Sequence, residues 1–302
     1  MNFDEFAIGV DEDGLARAGV GTLRCFRFPS FADAIEAIWD CDIPNSDLAR
    51  ALTIKCFPGT SLWLMGQYRA PAEIDQVTVL STKRATQSRP HAVTLRPTGA
   101  FGVIIVCLRP DAASRIVEAP LRDCVDANIP LGRLFGLRQL SMCDDALARA
   151  RTSNERITGI QCYLLRHLRL RTESLASRAA LHLRRDPTMQ IHSLAAGLDV
   201  SVRHLSRAFT ANLGVSPKRF ARLARFQRIL AQCRSGRSWS EIAYVCGLTD
   251  QAHLVKEFQD IVGETPTQLF MNEIHTSAGG MDDAVNFIFK LARPIDNSIT
   301  KS

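Results

Sequence analysis

Two arginines spaced one helical turn apart, Arg203 and Arg207, are the residues of this sequence whose type and spacing best suit recognition chemistry. A guanidinium group is planar and donates parallel hydrogen bonds, which match a carboxylate, a phosphate or the O6 and N7 atoms of guanine. In the stretch VRHLSRAFTANL, the apolar residues recur at helical spacing on the side opposite both arginines. The pair therefore predicts a helix with one buried face and one face that presents two guanidinium groups.

The same local pattern is written again 49 residues later. The stretches VRHLSRAFTANLGVSP and DQAHLVKEFQDIVGETP share His-Leu, a Phe, a Gly and a Ser/Thr-Pro pair in the same order. We expect Ser201 and Asp250 to cap the two helices, and Gly214 and Gly263 to end them. The predicted buried seams are Leu205, Ala208, Phe209 and Leu213 in the first copy, and Leu254, Phe258, Ile261 and Val262 in the second.

Each copy is preceded by a second short helical segment and a tight turn, which is one residue longer in the second copy. The segments IHSLAAGL (191–198) and WSEIAYVCGL (239–248) are these first helices. Two short helices joined in this way form a helix-turn-helix, whose second helix can enter the major groove of DNA.

A basic helix, predicted from Pro217 to Cys233, connects the two copies. At 1.5 Å per residue it is about 25 Å long, which suits two reading helices placed about one duplex turn apart. Residues 151–275 contain 18 Lys/Arg against 10 Asp/Glu, and no acidic residue occurs between Asp199 and Glu241. This one-sided charge favours a polyanionic partner.

The candidate DNA contacts follow from these helices. Arg203 and Arg207 are expected to bind guanine, although contact with phosphate or pairing with a surface acid is the alternative. In the second copy Ala252 suits a thymine methyl group and Lys256 a base edge or phosphate. The complete predicted set is Arg203, Ser206, Arg207, Thr210, Lys218, Arg222, Arg225, Gln251, Ala252 and Lys256.

The first part of the chain is predicted to be β-rich. Short β-branched or aromatic runs punctuated by Pro, Gly, Asn or Ser favour an antiparallel barrel or sandwich. The predicted strands are 22–28, 51–57, 61–68, 76–82, 91–97 and 101–108, with helices around 31–41 and after Asp111. The sequence thus predicts an α+β protein, with a β-rich sensing or association domain (1–140), a helical linker (141–174), a DNA-binding domain (175–274) and a tail (275–302).

The linker carries an apolar stripe at helical spacing, formed by Ile157, Ile160, Leu164, Leu165 and Leu168. Such a stripe packs on its own domain or pairs with a second copy of the chain, and the sequence leaves both open.

Residues 175–272 resemble the DNA-binding domain of the AraC/XylS transcriptional regulators. The resemblance rests on LAAGLDVSVRHLSRAF, GVSPKRFARLARFQ and IAYVCGLTDQAHLVKEFQDIVGETP. It implies a homodimer on two half-sites in double-stranded DNA, promoter activation with RNA polymerase as a partner, and an effector for the first domain. The family often has Phe or Tyr at Leu248, Ser at Ala252 and Arg at Lys256, so the second reading helix offers less hydrogen bonding.

Other classes of function find less support. Nine cysteines without a C-x-x-C pair, and no export signal or long apolar run, indicate reduced thiols and a cytoplasmic protein. We expect no catalytic residues, cofactor or metal. Two alternatives stay open: an alkyl-transferring repair regulator, which needs a cysteine-zinc cluster, and an adaptor whose β domain binds protein. An apolar group that lines either a pocket or the core is Phe57, Trp63, Met65, Tyr68, Phe101 and Ile105.

Overall fold

The computed structural model describes most of the chain in separate ranges, and the account below concerns these residues. They are 21–28, 34–50, 52–56, 59–69, 72–74, 77–79, 83–87, 93–110, 112–113, 129–131, 145, 147, 149–167, 174–233, 235–270 and 287–291.

Among the described residues, two antiparallel sheets form the first part of the molecule. The six-stranded sheet has the order β1-β2-β9-β4-β7-β10, and the five-stranded sheet has the order β11-β3-β8-β5-β6. The strands are β1 (Thr22–Phe26), β2 (Ile35–Ile43), β3 (Leu52–Cys56), β4 (Leu62–Gln67), β5 (Ala72–Ile74), β6 (Val77–Val79), β7 (Lys83–Gln87), β8 (Val93–Pro97), β9 (Phe101–Leu108), β10 (Ile129–Pro130) and β11 (Phe287–Leu291). A short helix, α1 (Ser46–Arg50), lies between β2 and β3.

One prediction for this region was wrong. The segment predicted as a helix around Phe31 to Cys41 contains β2, which pairs with β1 on one side and β9 on the other. Along β2, Ala37, Trp39 and Cys41 alternate with residues of the opposite face, as a strand buried on both faces requires. Its alanines and glutamate favour a helix locally, but packing between two strands decides the structure.

The other predicted strands are confirmed where they fall on described residues. Predicted strands at 22–28, 61–68 and 101–108 correspond to β1, β4 and β9. Those at 51–57 and 91–97 correspond to β3 and β8, and β6 lies within 76–82. The helix predicted after Asp111 falls largely outside the described residues. The antiparallel sheets and the helical second part confirm the α+β class.

The helical part begins with α2 (Ser153–His167). The remaining helices are α3 (Leu175–Arg185), α4 (Ile191–Gly197), α5 (Val202–Leu213), α6 (Pro217–Gln232), α7 (Trp239–Val245), α8 (Gln251–Val262) and α9 (Pro266–Phe270). None of the helices in the described ranges is long and apolar enough to cross a membrane.

The apolar stripe of α2 packs inside its own chain. Ile157, Ile160 and Leu164 are buried in the same cluster as Leu62 and Ile104 of the six-stranded sheet. Leu165 and Leu168, which the sequence placed on the same stripe, have side chains outside the described set. The described part of the stripe is therefore covered without a second copy of the chain.

Three apolar clusters organise the residues that the structure describes. One fills the sandwich, where Leu95 of β8 meets Trp39 and Trp63 of the other sheet. A second runs from the opposite face of the six-stranded sheet through α2 and α3 to α5 and Phe220 of α6. The third joins Phe226 of α6 to α7 and α8. Helix α6 thus contributes its first half to one cluster and its second half to the next.

Polar contacts fasten the sheet to the helices. Asp40, which is 2 % exposed, accepts hydrogen bonds from Arg156 Nη2 at 2.8 Å and Nε at 3.1 Å, and from Ser153 Oγ. The Tyr68 hydroxyl donates to the same carboxylate at 2.7 Å, and the Arg156 guanidinium lies 4.3 Å from the Tyr68 ring centroid. Burial, together with the nearby Asp40 carboxylate, raises the pKa of Tyr68. Arg156, Ser153 and Tyr68 therefore all donate to one buried carboxylate.

Among the described residues, two further contacts join the sheet to the helical part of the molecule. Glu36 of β2 forms an ion pair with Arg184 of α3. The Thr60 hydroxyl donates to Oε1 of Gln227 on α6, with 3.1 Å between the oxygens. The first part of the chain therefore touches both α3 and the connecting helix α6.

Candidate nucleic-acid interface

The first helix-turn-helix consists of α4 and α5. Ser201 has extended backbone and its hydroxyl accepts a hydrogen bond from the His204 N–H at 3.1 Å, so it caps α5. Gly214 ends the helix at φ 74°, where a residue without Cβ is favoured. The turn between the helices places Asp199 at φ 54°. The predicted cap and end of this helix are confirmed.

The second helix-turn-helix, α7 and α8, repeats the design with different residues. Asp250 replaces the serine as cap and accepts from the His253 N–H at 2.7 Å, while Gly263 ends α8 at φ 81°. In the turn, Gly247 has φ 73°, and a Cβ there would lie 2.3 Å from Cγ2 of Thr188. Both the backbone and the neighbouring side chain therefore require glycine at that place.

Helix α7 begins with a reciprocal cap. Ser238 accepts from the Glu241 N–H, and the Glu241 carboxylate accepts from the Ser238 N–H and hydroxyl, both at 2.7 Å. These hydrogen bonds hold the pKa of Glu241 below its usual value of 4.5. The cap fixes where the first helix of this unit starts.

Helix α5 buries its apolar face and exposes its polar face. Leu205, Phe209 and Leu213 are buried, and Ala208 is half-buried, close to the predicted seam. The candidate contact residues on the other side are exposed at Arg203, Arg207 and Thr210 and half-buried at Ser206. No element of the described ranges covers them, so these side chains are available to a partner.

Helix α8 shows the same division. Its predicted seam is fully buried, with Leu254, Phe258, Ile261 and Val262 at 8 % exposure or less. Gln251, Ala252 and Lys256 are exposed. Ser240 of α7 donates a hydrogen bond to Oε1 of Gln251, with 3.1 Å between the oxygens.

Glu257 is the residue of this region that sequence reasoning missed. It is 4 % exposed and its carboxylate faces α6, where Arg225 donates to both oxygens at 3.3 Å. Arg222 Nε lies 3.9 Å from Glu257 and its Nη2 lies 3.1 Å from Asp260. The sequence did indicate burial of Glu257, because it follows the apolar Leu254 by three residues and so lies beside the buried face of α8.

These pairs bear on the predicted phosphate contacts of the connecting helix. Lys218 is exposed, whereas Arg222 and Arg225 are half-buried and engaged with acids of α8. The segment between Asp199 and Glu241 contains basic residues and no acidic ones. The acids that pair with Arg225 and Arg222 lie outside this segment, 32 and 38 residues after their partners. A phosphate role for Arg222 and Arg225 stays a prediction.

The recurring histidines make different contacts. His204 Nδ1 lies 3.5 Å from Nη2 of Arg207, and His253 Nε2 lies 3.9 Å from Glu257. What they share is their backbone: each N–H is the group that the cap residue binds. Within the described ranges no group of three or more His, Cys, Asp or Glu is placed to hold a metal ion.

Exposed apolar side chains are a second feature that the sequence analysis did not select. Val202, Tyr244 and Val245 are the large apolar residues with at least a third of their surface exposed in the described part of the chain. Val202 is the first residue of α5, directly beside Arg203, and the other two end α7. All three thus belong to the helix-turn-helix units.

The apolar group of the first domain belongs to the core. Trp63, Phe101 and Ile105 are buried in the sandwich cluster and Met65 packs against it. Tyr68 instead packs against the second cluster, and Phe57 lies outside the described side chains. Cys25 and Cys41 are buried in the same sandwich, so they give no support to a cysteine that reacts with alkylated DNA.

Comparisons with known proteins give a family match in the helical part of the chain. Residues 194–272 match the model of a helix-turn-helix domain family. The carboxyl-terminal domain of AraT, a response regulator from Geobacillus stearothermophilus, is 24% identical over 33% of this chain and 85% of that chain, with a TM-score of 0.31. ToxT from Vibrio cholerae is 10% identical over 80% of this chain and 98% of its own, with a TM-score of 0.43. No curated protein matches the sequence.

The match falls on the two units that the repeated sequence pattern predicts, from within α4 to the end of α9. The part of the chain that contains α4 to α9 therefore matches a family of helix-turn-helix domains.

Proposed function

We propose that this protein is a sequence-specific transcriptional regulator that inserts α5 and α8 into successive major grooves on one side of double-stranded DNA. The observation that carries the proposal is the matched construction of the two helices. Each is capped at its start, buried along one face and open along the other. They flank α6, whose 16 residues make a rod about 24 Å long.

The two reading helices have unequal roles. Arg203 and Arg207 give α5 two exposed guanidinium groups for guanine. The matching positions of α8 are Ala252 and Lys256, which offer a methyl contact to thymine and a single ammonium group. Helix α5 therefore supplies most of the base discrimination, and α8 adds a narrower preference.

Backbone contacts set the affinity. Lys218, at the start of α6, is exposed and would bind a phosphate beside α5, while Ser206 and Thr210 border the arginines. Neutralised phosphates release counterions, so binding weakens as salt rises.

The first domain would act through the contacts that it makes with the helices. The ion pair between Glu36 and Arg184 connects β2 to α3. The hydrogen bond from Thr60 to Gln227 connects the residues just before β4 to α6. A small-molecule effector or a second subunit that shifts this sheet would thereby alter the placement of the reading helices. Action in the cytoplasm as a homodimer that activates RNA polymerase completes the proposal.

Selection of bound duplexes from a random pool, with the full-length protein, tests the proposal. We expect an enriched site with two short conserved blocks separated by about one helical turn, the first rich in guanine. Failure to enrich any sequence, at low and moderate salt alike, would overturn it.

A further inference from the structure

The side chain of Gln251, a candidate DNA contact in α8, is hydrogen-bonded to Ser240, a residue outside the predicted contact set. Its amide oxygen accepts the hydroxyl of Ser240, with 3.1 Å between the two oxygens. Ser240 is on α7 and Gln251 is the first residue of α8, so the bond joins the first helix of the unit to the leading end of its reading helix. Both residues are exposed.

The bond leaves Gln251 with the donors and acceptor that adenine requires. An amide oxygen has two acceptor sites, and the serine occupies one of them. The second site and both N–H donors stay available. Adenine presents an N6 amino group and the N7 acceptor to the major groove, which glutamine can bind with two hydrogen bonds.

The position of Gln251 also suits base contact. Residues at the start of a reading helix approach the base edges, and Gln251 follows directly after the cap Asp250. A free glutamine loses side-chain freedom when it binds, and a glutamine already oriented by Ser240 loses less. The side chain of the next residue, Ala252, is too small to obstruct the amide.

We propose that Ser240 is a positioning residue that orients Gln251 to read one adenine in the major groove occupied by α8. This inference rests on the proposed function and assigns a specificity to its second helix. The residue that follows the cap of α5 is Val202, which offers only an apolar surface. The adenine is therefore expected in one block of the operator and not in the other, so it marks the direction in which the protein lies.

The test begins with pool selection using the full-length wild type and the Q251A variant. We expect one adenine of the wild-type site to lose its preference in Q251A. That base is then replaced by 7-deazaadenine, which lacks the N7 acceptor. Wild-type affinity should fall about 10-fold on the substituted duplex, as expected for loss of part of a two-bond contact.

The positioning role is measured with S240A and S240T on both duplexes. S240A should discriminate against 7-deazaadenine by about 3-fold or less, whereas S240T, which keeps the hydroxyl, should retain most of the wild-type ratio. S235A removes another exposed serine hydroxyl of this domain and should leave the ratio unchanged. The thermal midpoint of S240A should equal that of wild type, because alanine is well tolerated in an exposed helix position.

The results distinguish a failure of the Ser240–Gln251 inference from a failure of the proposed function. An enriched site whose preferences are unaffected by Q251A, or an S240A variant with the wild-type discrimination ratio, overturns the role of Ser240 and Gln251 alone. A pool that yields no enriched sequence overturns the proposed function and this inference together.

Discussion

Arg203 and Arg207 are exposed, lie on the same face of α5 and have no acidic partner within the described contacts of that face. The Arg207 guanidinium instead approaches His204, with 3.5 Å between Nη2 and the ring Nδ1. These surroundings favour a ligand that presents several hydrogen-bond acceptors. Guanine and phosphate both meet this description, and only the first carries sequence information.

We expect Arg203→Ala and Arg207→Ala each to weaken binding to the selected operator by about 1–3 kcal/mol, with a smaller loss on random DNA. Titrations of both duplexes at one salt concentration provide the comparison. Lys218→Ala is the matched control, since a phosphate contact contributes equally on both duplexes. If the arginine variants behave like the control, they contact the backbone.

Sequence reasoning located these residues because helical spacing and capping are local properties. Ser201, Asp250 and the two terminal glycines are confirmed in their roles for the same reason. The partner of Arg225 could not be read in this way, because Glu257 lies 32 residues further along the chain. A buried acid beside an apolar seam is a signal, but the sequence does not say which helix faces it.

At the scale of elements, α6 and α8 are fastened by the pairing of Arg225 and Arg222 with Glu257 and Asp260. Glu257 has a side-chain exposure of 5%. Its carboxylate is therefore costly to leave without its arginine. The contact keeps the second reading helix at a fixed angle to the connecting rod.

Replacement of Arg225 by alanine should lower the free energy of unfolding by about 3 kcal/mol, since it leaves the buried Glu257 carboxylate with only the 3.9 Å contacts to Arg222 and His253. Denaturant titration of the full-length protein gives this value. The double variant Arg225→Leu, Glu257→Leu should recover much of the loss. If Arg225→Ala keeps wild-type stability but reduces the salt dependence of DNA binding, its main role is phosphate contact, as the sequence analysis predicted.

The reciprocal cap of α7 makes a prediction about pH. Hydrogen bonds from Ser238 lower the pKa of Glu241, so the ionised carboxylate stabilises the folded state above the usual pKa of 4.5. That contribution disappears as pH falls through the lowered pKa. Wild type should therefore exceed E241Q in stability at neutral pH, and the difference should vanish in acid, as measured by denaturant titration at several pH values. A difference that is constant with pH would contradict the assignment.

At the scale of the whole molecule, one apolar cluster passes from the six-stranded sheet through α2 and α3 to α5 and α6. The buried Asp40 and Arg156 lie at the junction between β2 and α2. The sequence predicted a change from strands to helices near residue 140, but it did not predict that the two parts share a core. The reason is that burial of Ile157 and Ala176 depends on strands more than 40 residues away in the chain.

Arg156→Ala should destabilise the protein by about 3–5 kcal/mol because it leaves the buried Asp40 carboxylate without its arginine partner. Arg149→Ala is the matched control. Its ion pair with Asp145 has side-chain exposures of 79% and 68%, so its loss should change the free energy of unfolding by less than about 1 kcal/mol. Denaturant titration of both variants decides the point, and equal effects would mean that the buried pair contributes no more than the exposed one.

The strand β11 comes from the tail, after the DNA-binding domain, and lies against β3 with five paired residues from Phe287↔Cys56 to Leu291↔Leu52. On its other side β3 pairs with β8, so the tail covers what is otherwise the outermost strand of the sheet. A chain shortened before residue 287 would leave the amide and carbonyl groups of β3 open to any extended peptide. Such a protein should self-associate through that rim and sediment as larger species, although every residue of its two reading helices is still present.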